Sequence, residues 1–193
     1  MNAASDAEVL KWLAENEWNH GIKLDGKPLY YAEPGPNCIE LKYPETPLGT
    51  TFFARVASML GIADESRFHG ALLWITLSTI GSPQLEKAGW KLVEKMRQGY
   101  GENRSLRTAT GHFFRSDELA DLSAFLVPCF VFGWDAYMVP YSNDFFVYIS
   151  HDKYWGIVAR TQAAYEKLFA DLKELEPIES SAMRGRFSRP IKP

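Results

Sequence analysis

The stretch Phe130-Val131-Phe132-Gly133-Trp134-Asp135-Ala136-Tyr137-Met138-Val139-Pro140-Tyr141-Ser142-Asn143-Asp144-Phe145-Phe146-Val147-Tyr148-Ile149-Ser150 holds two ring-rich apolar runs around Tyr141-Ser142-Asn143-Asp144. Short polar side chains such as Ser, Asn and Asp hydrogen-bond their local backbone, and Asn tolerates left-handed conformations, so the central four residues read as a turn. Runs at 130–140 and 145–150 therefore predict a β-hairpin. Ten of the 27 aromatic residues (12 Phe, 9 Tyr and 6 Trp) fall within 130–155, which places the centre of the core there. Alternation puts rings on both faces of such a hairpin. One face should meet the core, and Tyr137 and Tyr148 on the other are candidates for a ligand or partner surface, since Tyr joins contact area to a polar handle.

Outward from the hairpin, the apolar run 71–80 is rich in β-branched residues and reads as a buried central strand. Gly81-Ser82-Pro83 follows, with Ser placed to cap a helix and Pro at the first helical position, where its missing N–H costs nothing. Leu85, Gly89, Leu92, Met96 and Tyr100 then recur at helical spacing, leaving Glu86, Lys87, Lys91, Glu94, Lys95 and Arg97 for solvent. Upstream, Ser5-Asp6-Ala7-Glu8 is a capping box before a short helix with Val9, Trp12 and Leu13 on one face. A strand at 39–43 and a helix at 47–60 precede the central strand. Downstream, Ser116-Asp117 is read as the start of a helix reaching about Phe125. Ser150 or Asp152 would cap a last helix carrying Tyr165, Leu168, Phe169, Leu172 and Leu175. This order lacks steady strand–helix alternation. The expectation is an α+β fold, a mixed or antiparallel sheet with a C-terminal hairpin and several packed helices. Residues 1–176 are read as one domain and 177–193 as a basic tail carrying Arg184, Arg186, Arg189 and Lys192.

Composition narrows the function classes. The chain has 193 residues, 46% hydrophobic and 23% charged, with a net charge of −3, which argues against a duplex-binding surface, since such surfaces carry a strong basic surplus. The longest apolar run, 124–134, is interrupted by Pro128 and falls well short of the roughly 20 residues a spanning helix needs. Two cysteines, Cys38 and Cys129, suit a reducing compartment, and no signal-peptide pattern opens the chain, so a cytoplasmic protein is expected.

The segment 99–115 is the first place to look for chemistry. Arg104, Arg107, His112 and Arg115 stand there among Glu102, Asn103, three hydroxyl residues and three glycines. Guanidinium groups grip carboxylate or phosphate in a bidentate fork, and a helix starting at Ser116 would add backbone donors, so this loop is a candidate anion site. The plain alternative is a solvated loop, or a strand through 107–114. At the end of the hairpin, His151 with Asp152 or Asp135 has the composition of a general-base pair, against a simple capping role for its neighbours. Cys129 lies among apolar residues and reads as a buried thiol. No dinucleotide-binding glycine pattern, P-loop or nucleophile elbow is present, no histidine pair has metal spacing, and the cysteines are 91 positions apart. No metal or cofactor is expected. The leading expectation is a non-catalytic binding protein whose partner, another protein or a second copy, meets the aromatic hairpin. The alternative is an enzyme or ligand-binding protein for a small phosphate or carboxylate held by Arg104, Arg107 and Arg115, with His112 or His151 moving a proton.

Overall fold

The computed structural model describes residues 1–18, 21–24, 27–30, 38–42, 68–76, 83–150 and 154–172. Seven strands form one antiparallel sheet in the order β1-β6-β5-β7-β8-β9-β4. They are β1 Asn2–Ala4, β4 Cys38–Lys42, β5 Gly70–Thr76, β6 Gly111–Arg115, β7 Asp135–Pro140, β8 Phe145–Ser150 and β9 Tyr154–Ala159. β2 Gly21–Leu24 and β3 Lys27–Tyr30 pair separately. Among the described residues the helices are α1 Asp6–Glu15, α2 Pro83–Gln98, α3 Leu119–Phe132 and α4 Gln162–Leu172. The fold is α+β, as the sequence order implies.

The hairpin joins β7 to β8 with Tyr137 opposite Tyr148 and Met138 opposite Val147. Asn143 supplies the turn at φ +61, where Asn is tolerated, and its N–H donates to the Pro140 carbonyl at 2.9 Å. β5 is an interior strand, third from the β1 edge, paired to β6 on one side and β7 on the other, and all seven of its residues are buried. Among the described residues every strand pair in this sheet runs antiparallel, unlike a parallel doubly wound sheet.

Alternation along these strands builds two cores, one on each face. His112, Leu73, Met138, Val147 and Ile157 stand in register across one face. Their side is covered by α2 through Val93 and Trp90, α3 through Leu122, Phe125 and Phe130, and α4 through Leu168 and Leu172. The second face carries Trp74, Tyr137, Phe146, Tyr148 and Val158, packed with Val9, Leu13 and Trp18 from α1 and the turn after it. Tyr148 is accommodated because its neighbour on β9 is Gly156, where a Cβ would come within 2.5 Å of the Tyr148 hydroxyl. The Ser5 capping box forms as expected: Ser5 N–H donates to Glu8 at 2.7 Å, and Ser5 Oγ accepts from the Glu8 N–H at 3.4 Å. α1 is then tied to the sheet by Asp6, which accepts from Trp74 Nε1 at 2.9 Å and from the Thr110 hydroxyl.

Three local expectations are corrected. The helix expected to stop near Phe125 continues to Phe132, and the strand expected from 130 begins only at Asp135. Pro128 removes one N–H, the partner of the Ala124 carbonyl, but Ala124 is exposed and water can satisfy that group. The helix ends instead at Gly133, left-handed at φ 62, whose N–H reaches the Cys129 and Phe130 carbonyls. The expected cap near Ser116 is absent: Glu118 is the N-cap and makes no side-chain cap bond. In place of a helix beginning near Tyr154 there is β9, whose Trp155, Ile157 and Val158 are buried on alternate faces of the sheet. The expected helix at 47–60 and the tail at 177–193 lie outside the described residues.

Candidate functional site

α2 does not bury the stripe its apolar residues suggest. Leu92 is 48% exposed, while Gly89, Val93 and Arg97 point inward at successive four-residue steps. Gly89 sets this rotation, because a Cβ there would lie 2.5 Å from the Phe132 ring and 2.8 Å from Trp134. Turning that bare backbone onto α3 carries Arg97, two turns further on, into the interior, where it is 0% exposed. Its Nε, Nη1 and Nη2 are all buried and make no hydrogen bond to any described residue. The expectation that Arg97 faces solvent is therefore wrong.

Nearby, β6 presents His112 to the same core, also at 0% exposure. Its ring sits 5.2 Å from the ring of Phe125, which also packs at 5.4 Å on Phe114, two residues further along the strand. Among the described residues neither imidazole nitrogen makes a well-formed hydrogen bond, the Leu73 and Thr110 backbone being its nearest polar neighbours. Burial, then the Arg97 charge, pushes the His112 pKa down to about 3, while the Leu73 and Thr110 carbonyls beside the ring pull weakly the other way. His112 is accordingly neutral across the physiological range. Arg97 cannot follow it, because guanidinium does not lose its proton in proteins.

The acids around Arg97 are engaged elsewhere. Glu102 accepts from the Arg104 backbone N–H at 2.7 Å and from Arg104 Nη2 and Nε at 2.6 and 3.0 Å. Those bonds hold its carboxyl down to about 2 despite its burial. Glu94 accepts from the Ser105 hydroxyl at 3.4 Å. Both acids oppose the effect of burial on Arg97, which lowers its pKa, without forming a pair with it. The turn leaving α2 closes over the group: the N–H groups of Tyr100 and Glu102 both donate to the Arg97 carbonyl, at 2.9 and 3.1 Å. Tyr100 then lays its ring 6.3 Å from Phe125, with its hydroxyl toward Asp121. Burial first, then Asp121, pushes its pKa up to about 12.

The loop arginines do not converge. Arg104 is spent on Glu102 and on the Ala3 carbonyl at 2.8 Å. Arg107 stacks over the Trp90 ring at 5.1 Å. Arg115 pairs at 3.1 Å with both Asp117 and Glu118, and Glu118 also meets the Met1 amino group. His112 is the one member of the loop constellation that turns inward. His151 and Asp152 lie outside the described residues. Tyr137 and Tyr148 are 7% and 5% exposed, within the α1-side core. The turn of the hairpin is likewise occupied from within the chain: Asn143 accepts from Trp18 Nε1 and donates to the Asn16 carbonyl at 3.2 Å. Arg160, in turn, stacks 4.4 Å over Trp18 and pairs with Glu17 at 3.0 Å. Cys129 is fully buried and its thiol is pushed up to about 12 by that burial, which leaves no thiolate to act as a nucleophile.

Among the described residues no cluster of three or more His, Cys, Asp or Glu is placed to hold a metal ion. No helix among them is long and apolar enough to cross a membrane. Comparison with protein-family models, with curated proteins and with solved structures finds no match to this chain.

Proposed function

We propose that this is a cytoplasmic protein that binds a small anion, a phosphate or a carboxylate, at Arg97 and His112. The observation that supports it is the buried guanidinium of Arg97 with all three nitrogens unpartnered. A cation taken out of water loses several kcal/mol of hydration, and only an anion or a set of acceptors returns that energy. An oxyanion returns it best, because two of its oxygens match the guanidinium fork. The site differs from the one expected in the loop: His112 is kept, and Arg97 replaces Arg104, Arg107 and Arg115, each of which has a partner. The test is titration calorimetry of the purified chain with inorganic phosphate and with acetate. Saturable binding in the wild type, lost in Arg97→Met with the fold intact by circular dichroism, is the expected outcome. Equal heats from both proteins would end the proposal.

A second reading, binding to another protein or a second copy, finds support on α3. Ala120, Ala124, Val127 and Val131 are exposed at spacings of four, three and four, a solvent-facing apolar stripe with Val131 63% exposed. Helices that are apolar on every side usually lie buried. Sedimentation equilibrium on the wild type and Val131→Asp tests it: an association that the aspartate abolishes is expected, and a wild type that stays monomeric at high concentration argues against self-association.

A further inference from the structure

We infer that the outer face of the α2–α3 pair docks on an anionic lipid surface. This is the face whose α3 half was offered above to a protein partner. α2 adds the charge that chooses between occupants.

Shape comes first. Five large apolar side chains are exposed among the described residues, and three of them stand within these two helices: Leu92 at 48%, Val127 at 39% and Val131 at 63%. The helices meet where Gly89 faces the Phe132 ring, and again where the Tyr100 ring lies 6.3 Å from Phe125, so they run antiparallel. Leu92, nearly one turn past Gly89, therefore emerges beside the C-terminal half of α3, which carries Val127 and Val131. Both valines lie across their helix from Leu122, Leu126 and Cys129, which are buried in the core. The exposed side chains thus form a crest. A crest of short side chains gives a protein partner no pocket for an anchor, whereas a lipid surface moulds itself to it.

Charge comes second. Lys87, Lys91 and Lys95 recur every four residues along α2 and are all exposed, with Leu92 next to Lys91. Residues four apart share one face of a helix. Among the described residues none of the three lysines is in an ion pair. Glu94 on α2 is engaged by Ser105. The one charged side chain of α3, Asp121, is partly buried beside the Tyr100 hydroxyl. A chain of net charge −3 therefore gathers an unpaired cationic row beside its exposed apolar crest. A second copy would bring its own lysines to that row, because a two-fold interface sets each patch against itself. An anionic headgroup layer attracts all three lysines at once, each worth about fivefold in affinity. The lysine stems can lie along the apolar surface while their ammonium groups reach the headgroups, and Leu92, Val127 and Val131 enter the boundary with the acyl chains.

The test is co-sedimentation of the full chain with vesicles of phosphatidylcholine alone and of phosphatidylcholine with phosphatidylserine in equal parts. Binding is expected on the mixed vesicles, weakened by added salt, and absent or far weaker on the neutral ones. The double variant Lys91→Gln with Lys95→Gln should lower affinity for the mixed vesicles about 25-fold, and Val131→Asp should lower it as well. All three side chains are exposed, so circular dichroism should show an unchanged fold. Equal binding to both kinds of vesicle, or binding to neither, overturns the inference. Binding to mixed vesicles that both variants leave intact overturns it too, because the contact then lies elsewhere on the chain. A wild type that ignores vesicles but self-associates until Val131→Asp is introduced makes a second copy the occupant. A wild type that stays monomeric and binds the mixed vesicles ends the self-association reading and keeps this one.

Discussion

Arg97 and His112 respond to the same burial in opposite ways. The histidine can shed its charge and does, with its pKa pushed down to about 3 by burial and then by Arg97. The arginine keeps its charge and pays the desolvation in full. Replacing it with an apolar chain of similar length should therefore stabilise the ligand-free protein. Arg97→Met is expected to gain about 1–3 kcal/mol, a rise of a few degrees in melting temperature for a chain of this size. A loss of similar size, measured by thermal unfolding in anion-free buffer, would mean that Arg97 is satisfied internally. His112 sets a pH dependence. Its folded-state pKa lies below its ordinary value of 6.5. Between the two values the unfolded chain binds a proton that the folded chain does not. Its contribution is thus complete above pH 6.5 and lost as pH falls toward 3, by up to about 1.4 kcal/mol per pH unit. Glu102, held down to about 2, adds loss in the same direction only below its own ordinary value of 4.5. Urea unfolding between pH 6.5 and 4.5 should show this slope in the wild type and a flatter one in His112→Leu. Parallel slopes would refute the assignment to His112.

At the scale of elements, the packing of α2 on α3 decides where Arg97 points. Gly89→Ala would gain about 1 kcal/mol of helix propensity. It would also drive a methyl into Phe132 and Trp134, whose rings stack at 5.6 Å, a clash that typically costs about 1–3 kcal/mol. A lower urea midpoint is expected, together with weaker anion binding as the helix rotates, and an unchanged midpoint would show that the contact yields freely. The same helix shows what the sequence could and could not convey. Its existence and its start at Pro83 were legible, because Pro83 and the apolar spacing act locally. Its buried face was not, because Leu92 and Tyr100 look like core residues until the bare backbone of Gly89 is seen to meet α3. The one available signal was the spacing Gly89, Val93, Arg97, which follows the helical repeat with a charge at its end. Extending α3 through Pro128 was equally hidden, since it depends on Ala124 facing water.

Over the whole molecule, the hairpin's turn and second strand were legible because turn chemistry and alternation are local, while its first strand, expected from 130, begins only at Asp135, and of the mixed or antiparallel sheet expected the antiparallel form is the one described. β1 and β9 escaped notice, because a three-residue edge strand and a strand that follows a hairpin owe their place to neighbours distant in sequence. The ring-rich stretch lies at the core, as expected, and Tyr137 and Tyr148, offered as a surface, lie within the α1-side core while Met138 and Val147 face the other. Stability should follow that core. Hydrogen exchange is expected to be slowest in β5 and β7, which are paired on both sides and buried on both faces. Faster exchange there than in β1, at the sheet edge, would contradict the described order of strands.

The central claim, that the buried Arg97 guanidinium is the anchor of an anion site, is tested most directly by melting the wild type and Arg97→Met across a series of phosphate concentrations. A ligand that binds only the folded state adds about 2.7 kcal/mol at a hundred times its Kd. The wild-type melting temperature should climb with the logarithm of phosphate concentration, while Arg97→Met starts higher and stays level. Two proteins that climb in parallel, or a wild type that does not respond, would contradict it.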